Sequence, residues 1–153
     1  RFLKITGRHK EQFKLENGKY VVPAPLEDAL CRSKFIAQTL LYGLNKPHTI
    51  ALLVPDMLEL GPWAEERGIA LEPVEALCQH PQVVDLLTNE LRQAAAAGLK
   101  NYERPLRWGF ITEPFTQENG LLTPKMSIRR NQVISVYSDL VEDIFSGQRG
   151  YDA

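Results

Sequence analysis

The chain has 153 residues, 44% hydrophobic and 24% charged, and 18 lysines and arginines set against 19 acids leave a formal charge of -1. That length is enough for one domain with a core of its own, and the near-neutral balance argues against a dedicated nucleic-acid binder. No apolar run approaches the ~20 residues that a membrane-spanning helix requires.

The opening Arg1-Phe2-Leu3-Lys4-Ile5-Thr6 alternates apolar and polar residues without an initiator Met or an apolar leader core. It reads as an interior strand, so the chain is expected to be one domain cut from a longer protein. A polar run, Arg8-His9-Lys10, separates it from a second apolar stretch. There Asn17-Gly18 marks a two-residue hairpin turn, with Phe13 and Leu15 on one face paired with Tyr20 and Val22.

Pro23-Ala24-Pro25 starts a short helix with Glu27 and Asp28 in its first turn and Leu26, Ala29 and Leu30 at helical spacing, ending near Ser33. Residues 35–41 and 49–54 are apolar and partly β-branched, which predicts two adjacent strands at central positions in a sheet. Asp56 caps a helix over 57–67 that Gly68 stops. A helical turn over 73–78 precedes a longer helix from Pro81, with Val84, Leu87, Leu91 and Ala94 or Ala95 on one face and Gly98 at its C-cap. Residues 107–112 form a further strand. A last helix over 128–145 carries Ile134, Tyr137, Val141 and Ile144 on one stripe. The expected fold class is α+β: a small mixed β-sheet with flanking helices and an N-terminal β-hairpin.

Cys31 and Cys78 are far apart and have no CxxC or Cys/His spacing around them. They read as buried small hydrophobes in a reducing compartment, which makes a cytoplasmic location the expectation, with peripheral membrane attachment left open. His9, His48 and His80 form no ligand pattern, so no metal site is expected, and His48 reads as a loop residue. Trp63 and Trp108 read as core or as a docking patch, since no basic strand carries interleaved aromatics suited to stacking RNA bases.

Two segments at opposite ends of the chain fit one picture. Gly7-Arg8-x-Lys10-Glu11-x-x-Lys14-Leu15-x-Asn17-Gly18-Lys19-Tyr20-Val21-x-Pro23-x-x-Leu26-Glu27 resembles the hinge and following hairpin of long-chain acyl-CoA synthetases, members of the adenylate-forming superfamily. Phe115-Thr116-x-Glu118-Asn119-Gly120-Leu121-Leu122-Thr123-Pro124 resembles the loop before the last helix of the same subfamily. The resemblance covers essentially the whole chain, with hinge and hairpin at 7–23 and final loop and helix at 115–146. It implies a mobile C-terminal lid domain, inactive alone, whose large N-terminal adenylation domain is absent. The intact enzyme would be an ATP-dependent long-chain fatty acid:CoA ligase using ATP and Mg2+, both bound mainly by the missing domain, and CoA. The acyl-adenylate forms first and the thioester second.

The resemblance also implies residue roles. Lys10 matches a hinge pivot, where a φ/ψ change must be absorbed; on composition alone it reads as a solvated lysine. Arg8 matches an arginine near the nucleotide ribose and phosphates, a task suited to a planar fork of donors. Gly18 matches bare backbone facing the pantetheine arm of CoA, and Asn17-Gly18 is also simply a good turn. Lys19 and Lys14 could touch phosphates of CoA, although a solvated hairpin face explains them nearly as well.

At the adenylation lysine the chain departs from the pattern. In many relatives the loop reads Thr-Pro-Thr-x-Lys, whereas here it is Thr123-Pro124-Lys125-Met126-Ser127-Ile128-Arg129-Arg130, with Ser127 at the lysine's place. Serine cannot supply a cation where charge develops. Lys125 is the candidate catalytic residue if the loop is redrawn, with Arg129 or Arg130 as substitutes. Two alternatives stand beside this reading: the lid of an acyl-acyl carrier protein synthetase, and a free-standing α/β protein-binding module without catalysis.

Overall fold

The computed structural model describes residues 12–96 and 100–153. The opening strand, Arg8, Lys10 and the Gly98 cap lie outside the described residues. A two-stranded hairpin, β1 (Phe13–Lys14) and β2 (Tyr20–Val21), leads into helix α1 (Ala24–Cys31). Strands β3 (Ile36–Tyr42) and β4 (Thr49–Pro55) follow, then helices α2 (Met57–Glu66), α3 (Val74–Gln79) and α4 (Pro81–Ala96). Strand β5 (Pro105–Phe110), helices α5 (Arg130–Val136) and α6 (Ser138–Ser146), and a short β6 (Tyr151–Asp152) complete the chain. The main sheet has the order β3-β4-β5-β6, antiparallel except for the parallel β4–β5 pair, whose crossover carries α2, α3 and α4. The fold is the expected α+β class.

Alternation along β4 divides the core into two. Ala51 and Leu53 face a cluster with Leu26 and Leu30 of α1, Leu60 of α2 and Leu87 and Leu91 of α4. Ile50, Leu52 and Val54 face a second cluster with Phe115, Leu121, Leu122, Val133, Val141 and Ile144. With both faces covered, every residue of β4 is buried, which is why its sequence runs almost continuously apolar. Trp108 of β5 is fully buried and donates its indole N–H to the Thr88 hydroxyl at 2.9 Å. That bond explains a polar residue on the buried face of α4. Gly109 admits α6, because a Cβ there would meet Ile144 Cδ1 at 2.4 Å.

Asp56 caps α2 as expected, its carboxylate accepting from the Leu58 amide at 3.0 Å. Cys78 is buried and Cys31 half-buried. Burial, reinforced by the charge of Glu75, pushes the Cys78 thiol up to about 11. Trp63 packs edge-on to Phe35 and beneath the Arg67 guanidinium, 4.1 Å from its centroid. His48 sits in the β3–β4 loop with its ring 5.3 Å from that of Phe145. No helix among the described residues is long and apolar enough to cross a membrane.

Four expectations about the main sheet and the helices are corrected. Among the described residues β3 is an edge strand rather than a central one. The buried face of α4 runs through Val83, Leu87, Leu91 and Ala95, a strict four-residue spacing that leaves Val84 only partly buried at its side. The last helix is two, broken at Tyr137 (φ -106, ψ 27), in a stretch where Val133, Ile134 and Val136 alternate with serines, all weak helix formers. It begins only at Arg130, since Ile128 bridges to Leu122 as a strand residue.

Candidate functional site

The hairpin is not the expected two-residue turn. The Leu15 amide donates to the Lys19 carbonyl and the Gly18 amide to the Leu15 carbonyl, each at 2.9 Å. Gly18 takes φ 89. This is a three-residue loop of Glu16, Asn17 and Gly18, a turn closed by one left-handed residue. The Asn17 side chain accepts from the Lys19 amide at 2.9 Å, so it locks the turn from outside instead of occupying a left-handed position. The longer loop shifts the register: Phe13 opposes Val21 and Lys14 opposes Tyr20. Phe13, Leu15 and Val21 are buried, while Tyr20 is exposed. The Glu16 amide donates to Lys46 O and the Asn45 amide to Lys14 O, fastening the hairpin to the β3–β4 loop. At its tip, a Cβ built on Gly18 meets nothing within 4 Å. Lys19 places its ammonium 4.7 Å from the Tyr102 ring centroid, and Lys14 lies 5.9 Å from that of Tyr20.

The final loop repeats this backbone. The Thr123 amide donates to Ser127 O and the Met126 amide to Thr123 O, both at 2.8 Å, and Met126 takes φ 67. Pro124, with its fixed φ, suits the first central position of such a turn. Lys125 is next, exposed at the apex, and makes no hydrogen bond or ion pair among the described residues. Ser127 is held lower, its amide donating to Thr123 Oγ1 at 3.1 Å and its carbonyl in the loop's neck.

Beneath this apex the motif residues form a brace. Thr116 and Asn119 exchange hydrogen bonds, the Asn119 amide donating to Thr116 Oγ1 and the Thr116 amide to Asn119 Oδ1, each at 3.0 Å. The Leu121 amide also donates to Asn119 Oδ1. From the same turn Gln117 donates its amide nitrogen to Met126 Sδ at 2.9 Å and to Pro124 O at 3.4 Å, flanking Lys125 on both sides. Gln38 on β3 then binds Phe115 twice, donating to its carbonyl at 3.0 Å and accepting from its amide at 2.7 Å.

The two arginines named as substitutes part company. Arg129 is exposed and donates to Gly120 O at 3.1 Å. Arg130 is buried and points inward. Its guanidinium donates to both carboxylate oxygens of Glu27, at 2.9 and 3.1 Å, and to Leu41 O at 2.9 Å. Leu41 N returns a bond to Glu27 Oε2 at 2.8 Å. A guanidinium committed in this way is not available to a substrate, which leaves Lys125 and Arg129 as the exposed cations of this segment. The Glu27–Arg130 pair was not foreseen: a first-turn acid and a spare cation were each legible, but not their meeting. No group of three or more His, Cys, Asp or Glu side chains that could hold a metal ion occurs among the described residues.

The domain is thus a mixed sheet faced by helices on both sides, with two tight loops, one presenting bare backbone at Gly18 and the other Lys125. The chain belongs to the AMP-binding enzyme C-terminal domain family, whose model matches residues 10–149. It is 34% identical over 146 residues to long-chain-fatty-acid–CoA ligase 1 of Homo sapiens and 31% identical over 147 residues to the peroxisomal long chain acyl-CoA synthetase 6 of Arabidopsis thaliana. Each match covers 94% of this chain but only 21% of the relative, so the chain spans about a fifth of their length. Among solved structures, the adenylation domain of the Mycobacterium chelonae carboxylate reductase superposes with a TM-score of 0.71 at 27% identity, over 92% of this chain and 20% of that one. The A domain of carboxylic acid reductase from Segniliparus rugosus, in complex with AMP and a co-purified carboxylic acid, gives 0.71 at 26% identity, over 94% and 21%.

Proposed function

We propose that this chain is the mobile C-terminal domain of an ATP-dependent long-chain fatty acid:CoA ligase, presenting Lys125 to one half-reaction and the Gly18 backbone to the other. The observation that carries the reading is the pair of matching loops on one domain, one ending in an exposed cation and the other in exposed backbone. The first half-reaction joins a fatty acid carboxylate to the α-phosphorus of ATP and expels pyrophosphate. Negative charge gathers on the phosphoryl oxygens, and an ammonium aimed there stabilises the transition state. Lys125 stands free at an apex with a flexible four-carbon stem, and can make that approach where Ser127, held in the loop's neck, cannot.

The second half-reaction needs the thiol of CoA to reach the acyl carbon while AMP departs. A channel wall of backbone without a Cβ suits the narrow pantetheine arm, and Gly18 has open space where a side chain would stand. Lys19 and Lys14 flank that wall and suit the phosphates of CoA. Lys10 is assigned the hinge and Arg8 the nucleotide on the strength of the family motif. The missing N-terminal adenylation domain would hold ATP, Mg2+ and the acyl chain, and would fix chain length.

An acyl carrier protein as acceptor is the second reading. What favours it is the solved A-PCP didomain of the Segniliparus rugosus carboxylic acid reductase, which matches this chain with a TM-score of 0.70 at 26% identity. The test is ATP–pyrophosphate exchange with a long-chain fatty acid, followed by acyl transfer to CoA or to holo acyl carrier protein. The full-length protein is expected to catalyse exchange and to acylate CoA, and these 153 residues alone neither. Exchange by the isolated chain would overturn the reading; transfer to carrier protein alone would establish the second.

A further inference from the structure

Glu27 and Arg130 form the most deeply buried ion pair of the described residues, with side chains 3% and 7% exposed, and they lie 103 positions apart in sequence. Burying two charges is costly, and a well-packed apolar pair of the same volume is often as stable or more so. Stability is therefore a weak reason for the pair to be here. Its location suggests another. Glu27 is in the first turn of α1, directly after the Gly18 hairpin. Arg130 opens α5, directly after the Lys125 loop. The pair also holds the backbone of β3, Arg130 donating to Leu41 O and Glu27 accepting from Leu41 N. Apolar contacts are non-directional and permit sliding, whereas a bidentate guanidinium–carboxylate fork fixes an angle as well as a distance.

We propose that Glu27 and Arg130 are positioning residues that clamp the Lys125 loop and the Gly18 hairpin to one sheet edge. The two loops then move as a single rigid body, and one domain rotation withdraws the first as it delivers the second. Neither residue touches substrate. The proposal rests on the roles given above to Lys125 and Gly18.

The test uses the full-length enzyme and reads adenylation by pyrophosphate exchange, separately from thioester formation from supplied acyl-adenylate. Arg130→Lys keeps the charge and loses the fork. It is expected to lower adenylation kcat about 10-fold and leave KM for ATP within about twofold, as misplacement of a catalytic group does. The double variant Glu27→Gln, Arg130→Met strands no charge. It is expected to melt close to the parent temperature yet keep the same deficit, whereas a purely structural pair would regain kcat along with stability, which would overturn the proposal. Lys125→Ala on the Arg130→Lys background should cost about tenfold less than on the parent, because part of its contribution has already been lost. Strict additivity would overturn the clamp and leave the Lys125 role intact. A Lys125→Ala variant with full adenylation activity would remove both.

Discussion

Two loops of this molecule share one backbone and differ in what they expose. At residues 15–19 and 123–127 the same pair of hydrogen bonds closes a three-residue turn on a left-handed residue. In the first that residue is Gly18, unstrained, with nothing around it. In the second it is Met126, for which a left-handed backbone costs on the order of 1 kcal/mol. A glycine makes the hairpin tip a smooth wall. A methionine makes the final loop depend on outside support, supplied by Gln117 at Met126 Sδ and Pro124 O. The same local geometry thus serves two ends, one loop offering backbone and the other a side chain held at an apex.

The sharpest way to break the comparison is at the apex itself. Lys125→Ala should lower adenylation by about 10²–10³-fold, the scale of losing one well-aimed charge-stabilising donor. Equal loss in both half-reactions would remove Lys125 from the role. At the other loop, Gly18→Leu should slow thioester formation by about 10–10²-fold and spare adenylation, with about 1–2 kcal/mol of stability lost to the left-handed strain. Denaturant unfolding gives the stability change and single-turnover assays give the split.

A third experiment asks whether Cys78 of α3 behaves as buried. Cys78 keeps its proton in the folded chain up to about pH 11, while the unfolded thiol ionises near 9.0. The unfolded state therefore binds fewer protons between those values, and stability falls as pH rises through that window. The expected loss is about 2–3 kcal/mol by pH 11. Cys78→Ala should flatten this alkaline slope in urea titrations at pH 8 to 11. The smallest expected effect is at Met126. Met126→Gly relieves the left-handed strain and should raise stability by about 0.5–1 kcal/mol, with a measurable rise in denaturation midpoint; a fall would mean that the Gln117 bond outweighs the strain.

Much of the fold is legible along the chain because local pattern and tertiary burial agree there. The unbroken apolar run of β4, the Asp56 cap and the hairpin itself all follow from short-range rules. Loop length in the hairpin does not, because Asn17 can either adopt a left-handed turn itself or lock a longer one through its side chain, as it does with Lys19 N. The edge position of β3 is hidden by its own apolar character. Its edge groups at Leu41 are satisfied by Glu27 and Arg130, which lie 14 and 89 residues away. Strand β6 is two residues long and carries no periodicity. In the proposed site, the left-handed Gly18 and the exposed Lys125 are placed as turn chemistry and a polar loop lead one to expect. The Glu27–Arg130 pair is not legible in this way, since it exists only once segments 103 residues apart meet, and the Gln117 contacts depend on a loop conformation that no motif specifies.

The most direct test of two loops serving two half-reactions is a crossed assay of Lys125→Ala and Gly18→Leu in the full-length enzyme. Each variant is measured for pyrophosphate exchange and for thioester formation from supplied acyl-adenylate. The expected result is a crossover, with the lysine variant failing the first step and the glycine variant the second. Parallel loss of both steps in both variants would contradict it.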